Sequence, residues 1–138
     1  IIVLSALEAT LRIYDADHAL DQRLPVLALL TRSREDIRAA ATRVAPVLHR
    51  FAGDAFECTV IDCASQIGSG ALPEERLPSA AVCLKPAAGR KGVGRMLQQT
   101  LAKFRDLPTP VIGRIKDDCL IFDCRCLLST DESRLTTP

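Results

Sequence analysis

The chain has 138 residues, 48% of them hydrophobic and 25% charged, and 18 basic against 17 acidic side chains leave a net charge of +1. That length fits one globular domain burying about two thirds of its unfolded surface, and the charge balance gives no global attraction for nucleic acid or a membrane surface. No apolar run approaches the roughly 20 residues that cross a bilayer. The opening Ile1-Ile2-Val3-Leu4 lacks the basic flank and small-residue cleavage site of a signal peptide, so the chain reads as cut from something longer.

Leu4, Leu7, Leu11 and Tyr14 recur at helical spacing, which predicts a leading amphipathic helix broken at Asp15-Ala16-Asp17. Leu24-Pro25 opens a short helical segment to Leu30, with proline in its first turn. Ser33 with Asp36 forms a capping-box-like start, and Ile37, Ala41, Val44, Leu48 and Phe51 make one apolar stripe. Pro46 is expected to kink or shorten that helix. After Gly53-Asp54, a strand is predicted over 56–63, a loop over 64–78 and a second strand over 79–84. Gly89, Gly92 and Gly94 precede a helix marked by Val93, Leu97, Leu101 and Phe104, which Pro108 and Pro110 end. Strands over 111–115 and 119–126 then join across Lys116-Asp117-Asp118. This order predicts an α+β fold, an antiparallel sheet covered on one face by helices. Residues 1–23 read as a leading helix and linker, 24–128 as the α+β core, and 129–138, with Leu135 as the lone apolar side chain, as a frayed tail.

Cys58, Cys63, Cys83, Cys119, Cys124 and Cys126 fall in apolar, strand-like runs of a chain large enough to fold without disulfides, so they read as free buried thiols in a reducing cytoplasm. Cys124 and Cys126 are expected on one face of the last strand, with no histidine near them to complete a zinc set. His18 and His49 are isolated, and neither a metal site nor a catalytic residue is assigned. Arg90, Lys91, Arg95, Lys103 and Arg105, with only Asp106 adjoining, form a local basic face able to meet RNA phosphates. No aromatic residue interleaves them to stack a base, so a solvated helix face is the simpler reading and any RNA contact would be nonspecific. Arg114 follows a glycine in an otherwise apolar strand; its guanidinium is placed either to fork onto an anion or to pair with Asp123 across the hairpin.

The stretch Ser65-Gln66-Ile67-Gly68-Ser69-Gly70-Ala71-Leu72-Pro73, followed by Arg76-Leu77-Pro78-Ser79, combines backbone freedom, polar tips and rigid corners. It reads as a shaped loop able to serve a ligand or, equally, to connect two strands. Three further strings stand in order beside it: Ala6-Leu7-Glu8-Ala9-Thr10-Leu11, Leu29-Leu30-Thr31-Arg32-Ser33 and Pro110-Val111-Ile112-Gly113-Arg114-Ile115. Jointly, from about Leu4 to Cys126, they resemble the C-terminal part of the bacterial selenocysteine synthases, the pyridoxal-phosphate enzymes also called L-seryl-tRNA(Sec) selenium transferases.

The resemblance implies the small C-terminal domain of the aspartate-aminotransferase fold. It implies a cytoplasmic homo-oligomer, a decamer, with active sites at subunit boundaries. The implied reaction is β-replacement on seryl-tRNA(Sec): the cofactor acidifies the seryl α-hydrogen, water leaves, and selenophosphate supplies selenium. The resemblance places the cofactor lysine in the large domain ahead of Ile1, so this chain, with Lys85, Lys91, Lys103 and Lys116, is expected to hold no pyridoxal phosphate covalently and to be inactive alone. Ser65, Gln66, Gly68, Ser69 and Gly70 are implied to face the large domain near the active site, with Arg114 and Arg32 as possible anion or substrate contacts. The family's tRNA selection is attributed mainly to an N-terminal domain. Members usually continue into an apolar C-terminal helix that residues 129–138 cannot supply. Two other readings stand beside this one: the small domain of a related pyridoxal-phosphate lyase, and a free-standing α+β binding or regulatory module.

Overall fold

In the computed structural model, which describes residues 2–15, 20, 24–66 and 76–136, the chain falls into two units, Ile1–Arg32 and Ser33–Pro138. The first carries α1 (Ile2–Asp15) and α2 (Pro25–Thr31). α1 holds the expected apolar periodicity, and Leu4, Leu7, Leu11 and Tyr14 are exposed on it. Its i,i+4 pair joins Arg12 to Glu8 at 2.7 Å. The break expected at Ala16-Asp17 lies outside the described residues. Pro25 occupies the first turn of α2, where its missing N–H costs nothing. That helix falls in the first unit, whereas the sequence reading grouped it with the core.

The second unit begins at α3 (Arg34–Ala52). Ser33 caps it: its Oγ accepts the Asp36 N–H at 3.0 Å and donates to the Asp36 carboxylate at 2.6 Å. Pro46 lies inside the helix at an exposed position, and the helix runs on to Ala52, so the expected shortening does not occur. The ring and its lost hydrogen bond sit on the solvent side, where the helix tolerates them. Gly53, at φ 86°, closes the helix as its N–H bonds the His49 carbonyl at 2.8 Å.

Four strands form one antiparallel sheet in the order β1-β2-β4-β3: β1 (Phe56–Gln66), β2 (Arg76–Pro86), β3 (Arg114–Lys116) and β4 (Cys119–Asp123). Between β2 and β3 runs α4 (Val93–Arg105). In such a sheet residues directly opposed share a face. Val60, Val82 and Phe122 line one row and Cys58, Leu84, Leu120 and Ile115 the next. These side chains meet Ile37, Ala41, Val44 and Leu48 of α3 and Leu97, Leu101 and Phe104 of α4 in the core. The rings of Phe51, Phe104 and Phe122 meet in series at centroid distances of 4.7 Å, tilted by 51° and 58°. The α+β architecture with helices on one face is therefore as the sequence predicts.

Three boundaries differ. β1 and β2 each run three residues into the stretch read as loop, because Cys63↔Ser79 continues through Ser65↔Leu77 to Gln66↔Arg76. Residues 111–113 are not strand, since β4 offers ladder partners only from Arg114. β4 ends at Asp123, so Cys124 is buried and Cys126 exposed instead of sharing a strand face. The hairpin turn is as expected, with Asp117 and Asp118 at φ 51° and 55°.

The tail read as frayed carries a helix, α5 (Ser129–Thr136). Asp131 and Glu132 favour its first turn, and Glu132 accepts a bidentate pair from Arg43 on α3 at 2.7 and 2.8 Å. It is a polar helix, unlike the apolar one that the resemblance leads one to expect.

Gly113 faces the core, and a Cβ there would stand 2.6 Å from Phe122 Cε1 and 3.2 Å from the Ile121 carbonyl oxygen. Gly113→Ala is expected to destabilise the fold by about 1–3 kcal/mol through overpacking. Thermal melts check this: Phe122→Leu should recover part of the loss in the double variant, and additive losses would show that the clash is not with that ring.

Candidate functional site

The face of the sheet away from α3 and α4 carries a polar cluster at one end. Ser79 is opposed to Cys63 and Ala81 to Asp123, which puts Cys63, Ser79 and Asp123 on that face with Ser65 one step along β1. Asp123 is the hub. Its carboxylate accepts the hydroxyls of Ser65 and Ser79, each at 2.7 Å, and the Arg125 N–H at 3.1 Å. Arg114 of the neighbouring β3 stands 4.0 Å away as an ion-pair partner. Arg125, which is buried, donates through its guanidinium to the Pro78 carbonyl.

Burial pushes the Asp123 carboxyl up, but the two serine hydroxyls, the Arg125 N–H and the Arg114 charge outweigh it and hold it below the ordinary value. Asp123 is thus an ionised acceptor with its near oxygens engaged, a poor base for the serines that donate to it. Cys63 beside it is pushed upward, by burial first and then by the Asp123 charge. Cys83, on the same face near Cys119, is pushed up to about 11, chiefly by burial. Neither thiol is primed as a nucleophile. Among the described residues no group of three His, Cys, Asp or Glu side chains is placed to hold a metal ion.

The sequence-derived candidates separate as follows. Ser65 and Gln66 lie on β1 rather than in a loop; Ser65 joins the cluster, while Gln66 is exposed at the strand end. Gly68, Ser69 and Gly70 lie outside the described residues. Arg114 reaches the cluster with its side chain 48% exposed, so it pairs with Asp123 and still presents guanidinium to solvent. Arg32 ends the other unit, just beyond α2. Sequence reasoning named Ser79 and Asp123 only in passing and missed Arg125. The available signal was Asp123-Cys124-Arg125 directly after an apolar strand, two charges where a core strand should end cleanly.

Lys85, Lys91, Lys103 and Lys116 are all exposed and stand on separate elements or loops. A Schiff-base lysine works from a desolvated setting that depresses its pKa. None of these four has one, so this chain's lysines do not fit pyridoxal phosphate, and no step is assigned through it here.

The fold and the cluster define a class: a one-sided α+β domain whose polar end is a strand clasp carrying one accessible arginine. Its family is shown by comparison. The family model for L-seryl-tRNA selenium transferase (SelA) matches residues 1–128. The L-seryl-tRNA(Sec) selenium transferase of Escherichia fergusonii is 50% identical over 132 residues, 95% of this chain and 27% of that protein. Those of Salmonella paratyphi B and Salmonella schwarzengrund are 52% identical over 131 residues, with the same coverages. The chain belongs to the L-seryl-tRNA selenium transferase family, and it spans about a quarter of the length of these relatives.

Because the folded carboxyl of Asp123 is lowered, its stabilising contribution is fully present above the ordinary value of 3.8 and is lost as pH falls through the lower folded value. Asp123→Asn is expected to cost about 1–3 kcal/mol at neutral pH and to flatten the stability–pH curve below pH of about 4. Denaturant titrations at stepped pH check this; an acid limb unchanged by the substitution would remove Asp123 as the hub.

Proposed function

We propose that this chain is the small C-terminal domain of an enzyme that converts seryl-tRNA(Sec) to selenocysteinyl-tRNA(Sec) with selenophosphate as selenium donor. The observation that carries the reading is the family match over residues 1–128 at about half identity with selenium transferases. It is supported by the convergence on Asp123 of Ser65 and Ser79, the two ends of one family-like stretch, and Arg114 of another. The matched relatives bear the transferase name, which favours this reading over a related lyase or a free-standing module.

In this reading pyridoxal phosphate is held by the larger part of the enzyme, a cytoplasmic homo-oligomer with sites at subunit boundaries, and this domain closes one wall. Ser65 and Gln66, leading into Gly68, Ser69 and Gly70, form the substrate-proximal edge. Arg114 and Arg32 are the candidate anion contacts. Arg114 is the stronger: a strand fixes its backbone, Asp123 orients its head, and about half its side chain is open to a phosphate or selenophosphate oxygen. No helix of the described residues is long and apolar enough to cross a membrane.

Two measurements test this. Titration of the 138-residue chain with pyridoxal phosphate, followed by borohydride trapping and peptide mapping, is expected to give no stoichiometric lysine adduct; one at Lys85, Lys91, Lys103 or Lys116 would require a new site within the chain. In the full-length enzyme, Arg114→Ala is expected to lower kcat/KM about tenfold to a hundredfold, as loss of a charged contact does. Unchanged turnover with a lowered Tm would leave Arg114 only its pairing with Asp123.

A further inference from the structure

The cations of the second unit are distributed unevenly between its two core helices. On α3, Arg34 and Arg38 pair with Asp62 at 3.7 and 2.7 Å, and Arg43 pairs with Glu132. On α4 and the loop before it, Arg90, Lys91, Arg95, Lys103 and Arg105 are all exposed, and none of them forms an ion pair among the described residues. Residues 90–106 hold these five of the chain's 18 cations and one, Asp106, of its 17 carboxylates, so a nearly neutral chain carries a local positive surface. Leu97, Thr100, Leu101 and Phe104 turn inward, which leaves the cations on the solvent side of a helix about 20 Å long at 1.5 Å per residue. Gln98 and Gln99 stand exposed between them as further donors, and no large apolar side chain interrupts that side of the helix.

We infer that the exposed side of α4, with Arg90 and Lys91 before it, is a docking surface for the phosphate backbone of RNA, the aminoacyl-tRNA of the reading above, on which this inference rests. Charge complementarity makes the case. A set of uncompensated cations on one helix gains by releasing counterions from a polyanion, whereas cations already paired with carboxylates must first give up a partner. The surface offers no aromatic side chain for base stacking, so it positions the backbone without reading sequence. Such contacts act on binding and leave the chemical step alone.

The test is a pair of charge-matched triple variants in the full-length protein, Arg95→Gln/Lys103→Gln/Arg105→Gln on α4 and Arg50→Gln/Lys85→Gln/Lys116→Gln elsewhere, with folding checked by thermal melts. Binding to an unacylated tRNA transcript is read by anisotropy across a salt series. The α4 variant is expected to lose about tenfold in affinity near 0.1 M salt and to show a slope of log K against log salt shallower by about 2, while the control stays near wild type. The inference is overturned if the α4 variant binds like wild type, if the control loses as much, or if anionic phospholipid vesicles replace the transcript as the salt-sensitive ligand. Turnover separates this from the functional reading. Conversion of seryl-tRNA by the wild type with unaltered binding by the α4 variant rejects the surface alone. Absence of conversion rejects the reaction, while the binding slopes still decide the surface.

Discussion

Strand β2 sets the geometry on which everything else rests. It pairs with β1 over 11 residue pairs on one side and with β4 over four on the other, so its alternation decides which side chains meet the helix layer. Ala80, Val82 and Leu84 point into the helix layer, and Ser79, Ala81 and Cys83 point away from it. A slip of one residue would exchange the two sets, placing a serine in the aromatic core and turning valine and leucine to the face that carries the polar cluster. The polar cluster is therefore a consequence of register. Ser79 is available to Asp123 only while Val82 is seated against Phe122.

The cluster in turn fastens the end of the sheet where the ladder is shortest. β3 contributes three residues, and beyond them the chain approaches Phe122 so closely that only glycine fits at position 113. Arg114 follows at once, held by backbone pairing to Ile121 and by charge to Asp123. A carboxylate with three hydrogen-bond donors is costly to bury alone and stable when satisfied. This one ties β1, β2 and β4 together through Ser65, Ser79 and the Arg125 N–H. The same arrangement leaves the arginine half open, which joins a stability device to a binding feature.

Much of this was legible in the residues. The caps at Ser33 and Gly53, the stripes of α3 and α4 and the Asp117-Asp118 turn are local signals, set within a few residues of where they act. The extension of the β1–β2 ladder past Cys63 and Ser79 was not, because Ser65, Gln66 and Leu77 carry no strand preference strong enough to override the adjacent glycines and prolines, and their pairing comes from the opposite strand. α5 was missed for a related reason. A short polar segment is a marginal helix by itself, and its anchor, Arg43, lies 89 residues earlier in the chain.

The sequence by itself determined the α+β class and the family-like strings, since these depend on periodicity, order and residue identity. Only the tertiary structure decided that two of those strings meet at one carboxylate, that Asp123 is their hub, and that the cations of α4 form no ion pair among the described residues while Arg34, Arg38 and Arg43 of α3 do. Hydrogen bonds and ion pairs between strands and helices far apart in the chain depend on register and facing, and neither is written in any short stretch of residues.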